Sequence, residues 1–274
     1  MHFTKYMVIA AMAMGTITGK FAYGEDEVAF DGSTTVGPIA KAFIEYYKAK
    51  HPELNITLSE TGSGNGAKSL IAGRCHIANM SRFMKEKEFK SAVANGVTPV
   101  AHVVAMDGLA IAVNPANPVG ELTTEQVRDI YMGKIKNWKE LGGPNLAIVK
   151  ISRDSSSGTF ETFHKLVMHK EEIVGAEYVQ SNGAAKARVS KTPAAIGYVG
   201  LGFVQGVKAL TIDGVECTEN TVATGKYPVS RPLFMFTNGY PRLGSHVHAL
   251  VTLHLTRVGQ EMVKGVGFVP VTNY

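Results

Sequence analysis

Apolar and polar positions along this chain follow two periods that take turns. Short β-prone runs at Val28 to Phe30, Asn55 to Ser59, Ile77 to Met80, Ile148 to Ile151, Tyr178 to Gln180 and Ala195 to Val199 read as strands. Between them the spacing becomes helical. Ile39, Phe43 and Tyr47 lie four apart behind Pro38, whose missing N–H costs nothing in a first turn, and His51-Pro52 ends that helix. Further helices are expected over Ala67 to Ala72, over Glu86 to Ala94 before Asn95-Gly96, after the capping box Thr123 to Gln126, from Phe160 to Val167, over Ala184 to Ser190, and in one long final helix, His246 to Lys264. Val100 to Val113 is β-prone but reads as interrupted at Asp107-Gly108, and Tyr227 to Phe236 is an extended run punctuated by proline.

Strands that alternate with helices argue an α/β fold with mostly parallel sheets flanked by helices. Two extended crossings, near 112–118 and 226–236, divide the chain into two lobes. Residues 25–113 and 230–274 form the first lobe and residues 114–229 the second, inserted one, with Asn114-Pro115-Ala116-Asn117-Pro118 as the linker candidate. In such folds ligands lie beyond the carboxyl ends of the strands, here in the cleft.

The loops at those strand ends share a chemistry. Gly32-Ser33-Thr34-Thr35, Gly62-Ser63-Gly64-Asn65-Gly66 and Arg153-Asp154-Ser155-Ser156-Ser157-Gly158-Thr159 each set hydroxyls and glycine between a strand and a helix. Free N–H groups at a helix start meet an anion there. Ser81-Arg82 brings another hydroxyl and cation to a strand tip, and Arg153 offers a permanent charge on a planar fork of donors. The residues alone therefore point to a small-anion site. Each one also has a plainer reading. Ser33, Thr34 and Ser63 serve equally as caps, Arg153 and Arg82 as ion-pair partners, and Asp107 as a turn residue.

Composition narrows the field. The 274 residues suffice for two cores, and 45% hydrophobic with 19% charged residues is ordinary for a globular protein. Lys5, the apolar Met7 to Thr18 and the small residues around Ala22-Tyr23-Gly24 read as a cleaved secretory signal over residues 1–24, too short to span a bilayer comfortably, which places the mature chain in the periplasm. Losing Lys5 and Lys20 lowers the net charge from +5 to +3, a mild attraction for anions. The basic residues form no run, so no nucleic-acid partner is expected. Cys75 and Cys217 give no disulfide framework, and a single bridge or two buried thiols both remain open. His248 and His254, six apart on a helix, face different ways, so a solvated helix face is preferred over a metal site and no cofactor is expected. No Gly-x-Ser-x-Gly elbow surrounds Ser63 or Ser157, and Ala67-Lys68 breaks a Walker pattern after Gly66, which weighs against a secreted serine-type hydrolase.

Gly32-Ser33-Thr34-Thr35-Val36, Gly62 to Gly66, Ala78-Asn79-Met80-Ser81-Arg82, Asp107-Gly108-Leu109-Ala110, Arg153 to Phe160 and Gly225-Lys226-Tyr227-Pro228 lie in order across nearly the whole mature chain. In them the chain resembles the substrate-binding proteins of phosphate ABC transporters, a two-lobe periplasmic-binding-protein fold of type II with two hinge crossings. The resemblance implies a non-enzymatic monomer that takes inorganic phosphate into the cleft and delivers it to an inner-membrane ABC permease. Carried over by position, Ser33, Thr34, Ser63, Arg153, Ser157, Gly158 and Thr159 are phosphate contacts, with Ser81, Arg82 and Asp107 as further candidates. Members of the family place an aspartate after the strand that here ends in Met80. Ser81 in its place lacks the negative charge that repels sulfate, so another tetrahedral oxyanion is the alternative ligand. A surface antigen that merely reuses the fold is a further alternative.

Overall fold

The computed structural model describes residues 27–272, and the expected signal over residues 1–24 lies outside the described residues. Strand and helix alternate first as β1 (Glu27–Gly32), α1 (Gly37–Lys48), β2 (Asn55–Ser59), α2 (Ser63–Ile71), β3 (Ile77–Met80) and α3 (Glu86–Ala94). The long β4 (Pro99–Val113) leads to β5 (Glu121–Leu122), α4 (Thr124–Tyr131), β6 (Val149–Arg153), α5 (Gly158–Leu166), β7 (Glu177–Val179), α6 (Asn182–Lys191) and β8 (Ala195–Gly200). Then come β9 (Lys208–Ala209), β10 (Thr211–Ile212), α7 (Glu219–Ala223), β11 (Ser230–Asn238), α8 (His246–Thr252) and α9 (Arg257–Gly265).

The main sheet runs β2-β1-β3-β11-β4-β8-β6-β7, with β9 also beside β4, while β10 pairs with β5. The outer strands pair parallel, and every antiparallel pairing between these strands involves β4 or β11. β4 belongs to both halves: through Gly108 it pairs with β11, and from Leu109 onward with β8. The chain returns at Val229, whose carbonyl accepts the Leu109 N–H at 2.8 Å. Val28, Phe30, Ile39, Phe43, Leu233 and Met235 belong to one core. Leu109, Ile111, Trp138, Phe163, Tyr198 and Tyr227 belong to another. Each half thus has its own apolar interior, consistent with a two-lobe molecule.

Three local expectations need correction. β4 continues straight through Asp107-Gly108, because Arg231 stands opposite Asp107 in the strand register and supplies its counter-charge. Gly108 there lies under Cys217, Val222 and Tyr227, where an added Cβ would come within 2.6 Å of the first two. Next, α2 begins at Ser63 instead of Ala67: Gly62, at φ 100°, turns the chain so that the glycine loop itself winds into the helix. The final helix is broken. Thr256 leaves the helical conformation to cap α9, accepting from Gly259 N at 3.0 Å, and Gly259 packs directly on the Leu253 carbonyl.

That break turns His254 inward, to 6% exposure, where its Nδ1 meets the Val251 carbonyl at 2.5 Å. It is not part of a solvated face. Its ring packs edge-on against His102, and burial together with His254 holds His102 down to about 4. Trp138 is fully buried, donating from Nε1 to the Ala194 carbonyl at 2.9 Å. Cys75 and Cys217 are free thiols, and burial pushes each up to about 12. Among the described residues no helix is long and apolar enough to cross a membrane.

Candidate functional site

The carboxyl ends of β1, β2, β3 and β6 deliver their loops to one place, and glycine sets how closely they meet. A Cβ on Gly32 would lie 2.2 Å from the Asn79 carbonyl oxygen, and one on Gly66 would lie 2.8 Å from Gly32 Cα. Main-chain bonds fasten this approach: Gly62 N donates to Gly32 O at 2.7 Å and Ser33 N to Asn79 O at 2.8 Å. The Ser33 hydroxyl accepts from Thr35 N at 3.1 Å, closing its own turn. Ser63 Oγ accepts from Ser81 N at 3.0 Å and lies 3.2 Å from Ser81 Oγ.

The start of α5 comes in from the other lobe. Ser157 caps it, accepting from Phe160 N at 3.2 Å. Gly158 presses on Ser63 and Ser81 so closely that a Cβ would sit 2.5 and 2.6 Å from their hydroxyls. The Thr159 hydroxyl is 3.0 Å from that of Thr35, and the Gly64 N–H donates to the Ser156 carbonyl at 2.9 Å. Ser33, Thr34, Ser63, Ser81, Arg153, Ser157, Gly158 and Thr159 are therefore brought together, all buried, at the junction of the lobes.

Arg153 is 1% exposed, a costly position for a charge. Its Nε donates to the Val179 carbonyl at 3.1 Å and its Nη2 to the Gln180 carbonyl at 2.7 Å, with Thr34 Oγ1 3.4 Å away. The Tyr198 hydroxyl accepts its main-chain N–H at 3.1 Å. Among the described residues Nη1 has no hydrogen-bond partner. Burial lowers the guanidinium to about 10, so it remains a cation near neutrality. Neutral carbonyls orient this side chain without cancelling its charge.

Arg82 and Asp107 are placed differently. Arg82 donates Nη1 and Nη2 to the two carboxylate oxygens of Glu88, each at 2.8 Å, and its Nε is 2.9 Å from Glu161, which also pairs with Lys85 at 2.9 Å. Since Glu161 sits on α5, this cluster ties the lobes together. Asp107, fully buried, accepts from Arg231 Nε at 3.1 Å, Arg231 Nη2 at 2.9 Å and Leu201 N at 2.9 Å. Burial pushes its carboxyl up and the Arg231 guanidinium down, and their contact opposes both shifts. Each of these charges already has a protein partner. On the flank, Arg82, Lys85, Glu161, Thr162, Arg231 and Phe234 line a cavity of about 430 Å³.

Sequence reasoning missed Arg231 and Asn182. Arg231 also donates to Thr159 Oγ1 at 3.0 Å and Thr162 Oγ1 at 3.2 Å, and Asn182 Nδ2 donates to Thr35 Oγ1 at 2.8 Å and Thr34 Oγ1 at 3.2 Å. An aspartate inside an apolar run was the available signal for a buried counter-ion. Asn182 stood in the Ser181-Asn182-Gly183 loop with nothing to separate it from a turn residue.

A family model described as the PBP superfamily domain matches residues 21–251. The phosphate-binding protein PstS of Bacillus subtilis (strain 168) is 34% identical over 258 residues, covering 92% of this chain and 84% of that protein. A phosphate ABC transporter substrate-binding protein from Clostridium perfringens, solved with bound phosphate, has a TM-score of 0.81 at 34% identity, covering 90% of this chain and 100% of that one. An ABC-type phosphate transport receptor from Vibrio cholerae has a TM-score of 0.70 at 31% identity, covering 88% of this chain and 99% of that one. Together with two lobes joined by two crossing strands and a hydroxyl-rich junction between them, these likenesses show that the chain belongs to the family of phosphate ABC-transporter substrate-binding proteins, with their type II fold.

Proposed function

We propose that this protein captures inorganic phosphate between its lobes and delivers it to an inner-membrane ABC permease for import. One observation carries the reading: a buried arginine, held by two carbonyls with Nη1 uncommitted, faces the place where hydroxyl loops and a helix start from both lobes meet. A hydrogen bond to a charged group contributes about 1.5–3 kcal/mol net. Micromolar capture needs about 8 kcal/mol, so roughly five to eight such bonds suffice once closure and lost freedom are counted. The side chains of Arg153, Ser33, Thr34, Ser63, Ser81, Ser157 and Thr159, with the main-chain N–H of Gly158, supply that number. Arg82 and Asp107 act from behind, their charges matched by protein groups.

Donors divided between lobes favour the closed form when ligand is present, which gives the permease a shape to recognise. The inserted lobe is taken as residues 114–229; in support, β4 changes partner from β11 to β8 between Gly108 and Leu109, shortly before it, and the chain returns at Val229. After export through its leader the protein works in the periplasm as a monomer and as a receptor rather than an enzyme. In support, Ser157 Oγ caps its helix and Ser63 Oγ is shared with Ser81, which leaves neither a base. Sulfate is the second ligand to consider, because Ser81 carries no charge and the carboxylate of Asp107 is engaged by Arg231. Calorimetry of the purified protein tests both ligands. Phosphate is expected to bind at micromolar concentration or below; no heat with phosphate overturns the reading, and tighter binding of sulfate would make sulfate the ligand.

A further inference from the structure

The threonine hydroxyls at the lobe junction have few ways to arrange their protons. Asn182, fully buried at the start of α6, accepts the Gly200 N–H on its Oδ1 at 3.2 Å. A main-chain N–H only donates, so this contact fixes the amide with its Nδ2 toward Thr34 and Thr35. An amide nitrogen only donates as well. Thr34 Oγ1 thus faces Asn182 Nδ2 at 3.2 Å, Asn182 N at 3.4 Å and Arg153 Nη2 at 3.4 Å. Its lone pairs are occupied, and its single O–H has to point away from all three.

The same count orders the next hydroxyls. Thr35 Oγ1 accepts from Asn182 Nδ2 at 2.8 Å and takes the long arm, 3.5 Å, of a hydrogen that Arg231 Nη2 shares with Thr159, and the arrangement that serves both donors sends its O–H to Thr159 Oγ1, 3.0 Å away. Thr159 Oγ1 then accepts from Thr35 and from Arg231 Nη2 at 3.0 Å, which leaves its own O–H to point outward. Protons run from Asn182 through Thr35 to Thr159, and from Asn182 to Thr34. We propose that Asn182 is a specificity-determining positioning residue that turns Thr34 and Thr159 into obligate donors. The face they present accepts only bare oxygen atoms of a tetrahedral anion, so it prefers the doubly charged form of phosphate over the singly charged one. This inference rests on the phosphate reading of the site.

The titratable and charged groups around Asn182 come from four strands: Arg153 on β6, Tyr198 on β8, Asp107 on β4 and Arg231 on β11. Burial places Arg153 at about 10 and Tyr198 at about 12, and Asp107 and Arg231 hold each other. The ligand itself gains its second proton across the neutral range.

The test is phosphate calorimetry on wild type and Asn182→Ala from about pH 5.5 to about pH 8, with a melting curve at each pH. Wild type is expected to bind tighter as pH rises. Asn182→Ala frees the hydroxyls to rotate, so its affinity should fall about tenfold or more at the alkaline end and much less at the acid end, flattening the profile. Equal losses at both ends, or no loss, overturn the proposal. If Asn182→Ala melts early, Asn182→Asp takes its place: a carboxylate accepts the threonine protons and should confine phosphate binding to the acid end. An unchanged profile in that variant also overturns it. Failure of wild type to bind phosphate at any pH instead removes the underlying site reading.

Discussion

Arg153 ends β6 and Arg82 follows β3, both are buried, and both lie beside a hydroxyl-rich loop, yet their surroundings give them opposite tasks. Arg153 leans on the carbonyls of Val179 and Gln180, dipoles that orient it and leave its charge available. Arg82 is embraced by the carboxylates of Glu88 and Glu161, which consume its charge and use it to join α5 to the first lobe. A buried cation serves an incoming anion only where the protein has satisfied its donors without neutralising it. Residue type and position at a strand tip do not reveal which of the two has been built.

The sharpest way to break this contrast is to exchange each arginine for methionine. Arg153→Met should weaken phosphate binding about 100-fold, the loss of one to two charge-assisted bonds at about 1.5–3 kcal/mol each, whereas Arg82→Met should change it less than about tenfold. Equal losses in calorimetry would erase the distinction. Next in size is Glu161→Gln, which removes the acid from both the Arg82 and the Lys85 ion pairs across the lobes. The closed form is then held less firmly, and stopped-flow release of phosphate should quicken about threefold to tenfold. An unaltered release rate would mean that these pairs contribute nothing to closure.

The smallest effect is on acid stability. Burial pushes Glu88 up, but its bonds to Arg82 and the Lys85 N–H outweigh this and hold it below the ordinary carboxylate value. A lowered carboxylate pKa contributes stability above its unfolded value and loses it as pH falls through the folded one. The melting temperature of wild type should therefore drop more steeply than that of Glu88→Gln as pH falls below about 4.5. Carbonyls do not titrate, so the Arg153 cradle should contribute no such slope.

Much of the fold was legible because local rules agreed with the tertiary structure. The Thr123 capping box forms, with Gln126 N to Thr123 Oγ1 at 3.0 Å and Thr123 N to Gln126 Oε1 at 2.8 Å. The three hydroxyl loops do converge, since each sits at the carboxyl end of a strand in one continuous sheet. What escaped were facts made by distant parts of the chain. Asp107 looked like a turn because Arg231, 124 residues away, could not be seen to stand opposite it. The unbroken pattern from His246 to Lys264 hid a break whose cause is the packing of Gly259 on a carbonyl. Asn182 at the start of α6 donates to Thr34 and Thr35 because Gly200, at the end of β8, holds its amide oxygen.

Gly158 has a consequence of its own. It is the hydrogen-only point of contact in a jaw: any larger residue there would meet the hydroxyls of Ser63 and Ser81 before the jaw could shut. A single alanine at this position is thus a doorstop, one methyl thick, that would prop the receptor ajar with its donors intact. Such a variant would separate the act of gripping an anion from the act of presenting it.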